Sequence, residues 1–247
     1  MGNNVKRRTF LKVAAGAGGA VALAGAGYGL AQLSNNGWPF TSDISDGIVG
    51  EPKVLRSRNG LLEVELVAAP ALVEIDGIKV KAITYNSSLP GPTMVVNPGD
   101  TIRVKFVNQI GEPTNLHMHG LHVSPEGNSD NVMIQIENGQ VFEYEYKIGE
   151  DHPISTNWYH PHLHGSAANQ LFAGLYGTVI VEPLQLNDSL ASRVLVISDV
   201  DFDANGNLWQ PNMMALMMGR EGSRILVNGQ KNPELTVAAN SSERWHL

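Results

Sequence analysis

The chain has 247 residues, 43% hydrophobic and 17% charged, which supplies enough apolar material for a sizeable core and excludes a disordered or low-complexity protein. Seventeen bases stand against 24 acids, and four of the bases (Lys6, Arg7, Arg8 and Lys12) fall in the first twelve residues. The body is therefore acidic and lacks the basic footprint of a nucleic-acid binder, and the absence of cysteine excludes disulfides, iron–sulfur clusters, thiolate zinc sites and any blue-copper thiolate within this chain.

Residues 6–12 read Lys-Arg-Arg-Thr-Phe-Leu-Lys, and an apolar run from Val13 to about Leu33 follows. The pattern resembles a twin-arginine export signal over residues 1–33, which implies a periplasmic or secreted mature protein. A membrane anchor is the competing reading; the run is long enough, but two thirds of it is Gly and Ala. Residues 34–54, polar and turn-rich between Gly37 and Pro52, read as a linker.

From Leu61 onward the signal is period two, in short runs separated by Gly, Pro, Asn and Asp. Leu62–Leu66 alternates, and Val73–Ile75 and Ile78–Val80 flank Asp76-Gly77, a two-residue hairpin turn. Thr101–Val107, Val141–Ile148 and Tyr176–Val181 are further strands, and no long amphipathic helix is apparent. The expected fold class is all-β, a Greek-key sandwich over residues 55–184. A second unit starts near Ser189, with strands at Ser192–Val200 and Ile225–Gly229. At fifty-odd residues it is too short for a sandwich of roughly 100.

Seven of the eight histidines lie between positions 117 and 164. His117-Met118-His119-Gly120 and His160-Pro161-His162-Leu163-His164-Gly165, the latter preceded by Trp158-Tyr159, carry five of them. On an extended strand residues i and i+2 share a side, so each His-x-His offers two imidazoles to one point. Two neighbouring strands of this kind would converge four neutral nitrogens, a ligand set suited to copper, zinc or iron. His122 reads as either a support for the ligands or a structural residue on the same strand face as His119, His152 as a loop residue and His246 as an ordinary strand position.

Gly91-Pro92-Thr93-Met94-Val95-Val96-Asn97-Pro98-Gly99-Asp100, then the two histidine motifs, in this order, resemble the first domain of a laccase-like multicopper oxidase. The resemblance runs from about residue 55 to 183 and continues more weakly to the end. It implies cupredoxin domains holding copper, a one-electron reducing substrate, such as a phenol or metal ion, and dioxygen reduced to water. Carried over by motif, His117 matches a type 2 copper ligand, His119 and His160 ligands of one type 3 copper, and His162 a ligand of the other. Asp130, thirteen residues beyond His117, matches an acid that delivers protons; the bland alternative is a solvated loop acid beside Asn128 and Asn131. The family's remaining cluster ligands and its type 1 site have no match here. The sequence thus reads as the N-terminal portion of an oxidase, inactive alone, the other ligands coming from a missing C-terminal part or another chain.

Competing classes are a copper-free or partner-dependent periplasmic cupredoxin scaffold, against which the intact histidine pairs argue, and a zinc hydrolase with three imidazoles and an open position. A copper nitrite reductase needs a cysteine ligand and is excluded. Met213, Met214, Met217 and Met218 read either as core filling or as a soft-metal patch. Asp201–Gly206 imitates a calcium loop but lacks its closing Glu, so it reads as a turn.

Overall fold

The computed structural model describes residues 41–42, 52–183 and 190–247; the export-signal reading and most of the linker lie outside them. Strands β1 (Thr41–Ser42), β3 (Leu61–Ile75), β6 (Thr101–Asn108) and β8 (Val141–Lys147) pair in that order, and β4 (Ile78–Tyr85) pairs with the second half of β3. A second sheet runs β2 (Val54–Arg56), β5 (Thr93–Val96), β10 (Gly177–Val181), β9 (Ser155–His160), β7 (His117–His119). The pairs β3–β6 and β5–β10 are parallel although far apart in sequence, so the chain crosses repeatedly between the two sheets, as a Greek-key sandwich requires.

The alternation read in the sequence decides which face is buried. Leu62, Val64 and Leu66 of β3 meet Ile102, Val104 and Phe106 of β6 and Tyr144 and Tyr146 of β8, and these pack on Met94, Met118, Tyr159, Val179 and Val181 of the other sheet. On the opposite face Lys105 bonds Glu65 at 2.8 Å and Arg103 bonds Glu145 at 2.9 Å, each pair in cross-strand register. Exposed pairs of this kind contribute little stability, but they favour this register over its neighbours.

Strand β3 is one 15-residue element that joins Leu62–Leu66 to Val73–Ile75, two runs read separately in the sequence. Its pairing with β6 ends at Val67 and its pairing with β1 begins at Leu72. Pro70, opposite Ile83 of β4, falls in the stretch that is paired on one side only among the described residues, where a missing N–H costs no ladder bond. The Asp76-Gly77 hairpin forms as read, with both residues at positive φ (54° and 74°).

Beyond residue 190, the stretch read as one strand at Ser192–Val200 divides into β11 (Ala191–Val194) and β12 (Ile197–Val200). Strand β11 pairs in parallel with β15 (Glu243–His246), while β12 pairs with β13 (Arg224–Val227) and β13 with β14 (Gln230–Lys231). Val200, Phe202 and Leu226 pack on Val73, Ile75 and Val80 of the first sheet, and Val194 packs on Val95 and Ile180 of the second. Two six-residue helices, α1 (Ala167–Phe172) and α2 (Met213–Met218), complete the described elements.

Tyr159 fixes how β9 sits on its neighbours. Its ring is fully buried, its hydroxyl donates to the Pro92 carbonyl at 2.7 Å, and a Cβ on the cross-strand residue Gly177 would lie 2.3 Å from it. Gly177→Ala is therefore expected to destabilise the fold by about 1–3 kcal/mol, as overpacking typically does. Thermal denaturation checks this; an unchanged midpoint would show that β9 and β10 are not held at this spacing.

Candidate metal centre

Strands β7 and β9 run antiparallel with His117 opposite His160, Met118 opposite Tyr159, and His119 opposite Trp158. Met118 and Tyr159 are buried in the core. Period-two alternation then sends His117, His119, Trp158 and His160 to the other face of the sheet. One nitrogen each from His117, His119 and His160 lies within 4.8 Å of the others. Trp158 stacks on both neighbours, 4.0 Å from the His160 ring and 5.1 Å from that of His119, and remains 36% exposed. Gly120 turns the chain out of β7 at φ +93°, and a side chain there would also meet the Asn157 amide at 2.6 Å.

The hydrogen bonds of the rings fix which nitrogens are free. His160 Nδ1 donates to the Pro161 carbonyl at 2.8 Å, leaving Nε2 as the lone-pair nitrogen, and this atom faces His119 Nδ1 across 3.4 Å. His117 Nδ1 lies 3.0 Å from both carboxylate oxygens of Asp130, leaving its Nε2 free. Partners on the non-ligating nitrogen are the usual way in which a histidine ligand is oriented. Burial, helped by the neighbouring imidazoles, pushes the His160 pKa down to about 4, so this ring is neutral at ordinary pH. Imidazole nitrogens converging in this way fit copper, and also zinc or iron.

Asp130 is no solvated loop acid. Besides His117 it accepts the Met118 backbone N–H at 2.9 Å, and its side chain is mostly buried. His162 lies just past β9, with its ring 5.0 Å from His117 and 6.1 Å from His160; it is exposed and outside the tight group of three. Its backbone N–H donates to the side chain of Asn115 at 2.7 Å. Asn115 was not singled out from the sequence, where one Asn two residues before a His-x-His carries no signal of its own.

His122, His152 and His246 are distinct from this group. His122 lies beyond β7 rather than on its face, and its backbone N–H donates to Nε2 of the buried His152, whose Nδ1 donates to Pro153. The pair is a satisfied turn, not a support for His119. His246 is buried at the end of β15, its ring 3.0 Å from Thr156 and 2.9 Å from Ser192. Met213, Met214, Met217 and Met218 are 70–79% exposed on α2, so they do not fill a core. Asp203 accepts from Asn205 and Asn207 in a self-contained turn, as read.

Three imidazoles gathered on the outer face of a cupredoxin-like sandwich make a nitrogen-rich group that could hold a metal ion. Residues 68–185 match the family model described as multicopper oxidase. Multicopper oxidase mco of Staphylococcus aureus is 29% identical over 75% of this chain and 42% of its own length, and copper resistance protein A of Pseudomonas syringae pv. tomato is 30% identical over 74% and 26%. Among solved structures, a multicopper oxidase from Campylobacter jejuni, described as a metallo-oxidase, superposes with a TM-score of 0.68 at 30% identity, covering 77% of this chain and 41% of that one. Residues 68–185 thus carry a multicopper oxidase domain, and the chain spans less than half the length of these relatives.

The His160 shift sets a pH dependence. The unfolded chain takes up a proton at this side chain near pH 6.5, while the folded metal-free protein does so only near 4. Stability is therefore undiminished by this group above 6.5, falls as the pH drops from 6.5 towards 4, and levels below that. Urea midpoints at pH 7.5, 5.5 and 4.5 should show a decline that is shallower in His160→Gln; parallel declines would rule out His160 as its source.

Proposed function

We propose that this chain is the N-terminal part of an exported, laccase-like multicopper oxidase, coupling one-electron oxidation of a phenol or metal ion to four-electron reduction of dioxygen. The observation that carries the reading is the in-register pairing of His117-Met118-His119 with Trp158-Tyr159-His160, with Asp130 bonded behind His117. His117 would hold the type 2 copper, His119 and His160 one type 3 copper, and His162 the other. The facing of His119 Nδ1 and His160 Nε2 supports a metal shared by those two rings. When bound, copper supplies the one-electron redox chemistry by which dioxygen becomes water.

The residues of this chain have separable tasks. His160 is held neutral and aimed by Pro161; His117 is aimed by Asp130. Reduction of one dioxygen to two waters consumes four electrons and four protons. Asp130, a carboxylate fixed beside the cluster by the Met118 N–H, is the group we assign to relaying those protons. Residues 55–184 would be the first cupredoxin domain, residues 189–247 the start of the second, and residues 1–33 a twin-arginine signal directing the protein to the periplasm or beyond. Among the described residues no helix is long and apolar enough to cross a membrane. The remaining cluster ligands and the type 1 copper, which needs a thiolate absent from this sequence, would come from further chain or from another subunit. Three outward-facing histidines in one cluster argue against a copper-free scaffold.

Expressed alone, the 247-residue chain should bind copper(II) with nitrogen hyperfine structure in its electron paramagnetic resonance spectrum, and His119→Ala should weaken binding by roughly tenfold or more. It should consume no oxygen with a phenolic donor. Oxygen consumption by this chain would overturn the half-site assignment, and absence of copper binding would overturn the oxidase reading. The mass of the native protein in its source cells decides how the site is completed: about twice 26.6 kDa means further domains on the same chain, and a smaller one means a partner.

A further inference from the structure

Among the four histidines assigned to copper, His162 stands apart. It follows Pro161 beyond the last residue of β9, so no ladder bond fixes its backbone. The bond that its N–H makes runs to Asn115 Oδ1, 2.7 Å away. Asn115 is completely buried, and its amide nitrogen donates in the other direction, to the Val132 carbonyl at 3.0 Å and the Ile134 carbonyl at 3.1 Å. Those two carbonyls belong to the loop that begins at Asp130 and is clamped at its far end by the reciprocal Thr114–Ile136 bonds.

We infer that Asn115 is the positioning residue of His162, tying the turn that carries this histidine to the loop that carries Asp130. The chemistry suits a primary amide. One oxygen accepts from the turn while one nitrogen supplies two protons to the loop, and a residue with only a donor or only an acceptor cannot bridge both. Because Asn115 also lies two residues before His117 on the same chain, one buried side chain sets the spacing between His117, its Asp130 partner and His162. Leaving any of these buried groups without a partner carries a desolvation penalty, which opposes the loss of each bond. This inference rests on the copper reading for its consequence, whereas the bond itself is testable without metal.

Two measurements on the full 247-residue chain separate those questions. In the metal-free protein, amide exchange at His162 should be slow, become fast in Asn115→Leu, and stay slow in Asn115→Asp, which keeps the acceptor oxygen. Exchange in the unmutated chain at the rate of an unstructured amide, or no difference between Leu and Asp, would overturn the bond. In the second measurement, Asn115→Leu should weaken copper(II) binding about tenfold in the unmutated background and less than about twofold in His162→Ala, the signature of action through His162. An undiminished effect in His162→Ala would overturn the positioning role. If Asn115→Leu does not fold, the exchange rate of the unmutated chain and of Asn115→Asp still decides. Failure of the unmutated chain to bind copper would count against the oxidase reading, and the exchange comparison would then decide the Asn115 bond alone.

Discussion

The pairing of β7 with β9 is the contact on which the rest of this molecule depends. Each strand is short, and each is built so that one residue enters the core while its neighbours stay out. Met118 and Tyr159, directly opposed, are buried together, and that burial forces His117, His119, Trp158 and His160 onto the other face. A slip of one residue would send the imidazoles into an apolar interior and two large side chains into water, an exchange worth several kcal/mol against the slipped form. The histidine face is thus specified by hydrophobic packing beneath it. Tyr144 extends the same logic across the core: its hydroxyl accepts the Leu116 N–H at 3.1 Å, fixing the entry to β7 from the opposite sheet.

The polar groups around the histidines form a graded set of restraints. His160 is steered by its own neighbour's carbonyl, a bond of short sequence reach. His117 is steered by Asp130, thirteen residues on, and His162 by Asn115, 47 residues back. Gln170 does for α1 what Asn115 does for the turn: it is buried, accepts from Thr114 at 2.7 Å and donates to Glu112 and the Pro113 carbonyl at 2.9 Å. Residues 112–118 are therefore gripped from several sides, as a site on rigid elements requires.

Much of this was legible in the sequence because period two is a local rule. The alternation in Leu62–Leu66, Thr101–Val107 and Val141–Ile148 named the inward residues correctly, and His-x-His carried its own geometry. The failures came where a partner distant in sequence decides. Pro70 lies between two runs read separately, and the one-sided pairing of β3 makes it tolerable within a single strand. His122 looked like an extension of β7 because nothing nearby announces that His152 captures its backbone. The four methionines looked equally suited to a core, and their exposure reflects the packing of α2 rather than their composition. Asn115 was silent because its meaning lies in three bonds to residues 17, 19 and 47 positions away.

The openness of the histidine face has a consequence for how the protein acquires its metal. His119 and His162 are exposed, and Trp158 covers the cluster from one side only. On the proposed copper reading, a half-shell of imidazoles would discriminate among divalent ions by intrinsic affinity and by supply, since among the described residues no closed cavity imposes a size or a coordination geometry. Zinc in excess can therefore take a place that copper would win at equal supply. On that reading, fidelity of metallation would come from the order of events, with copper delivered where zinc is scarce or the shell closed promptly once copper has entered.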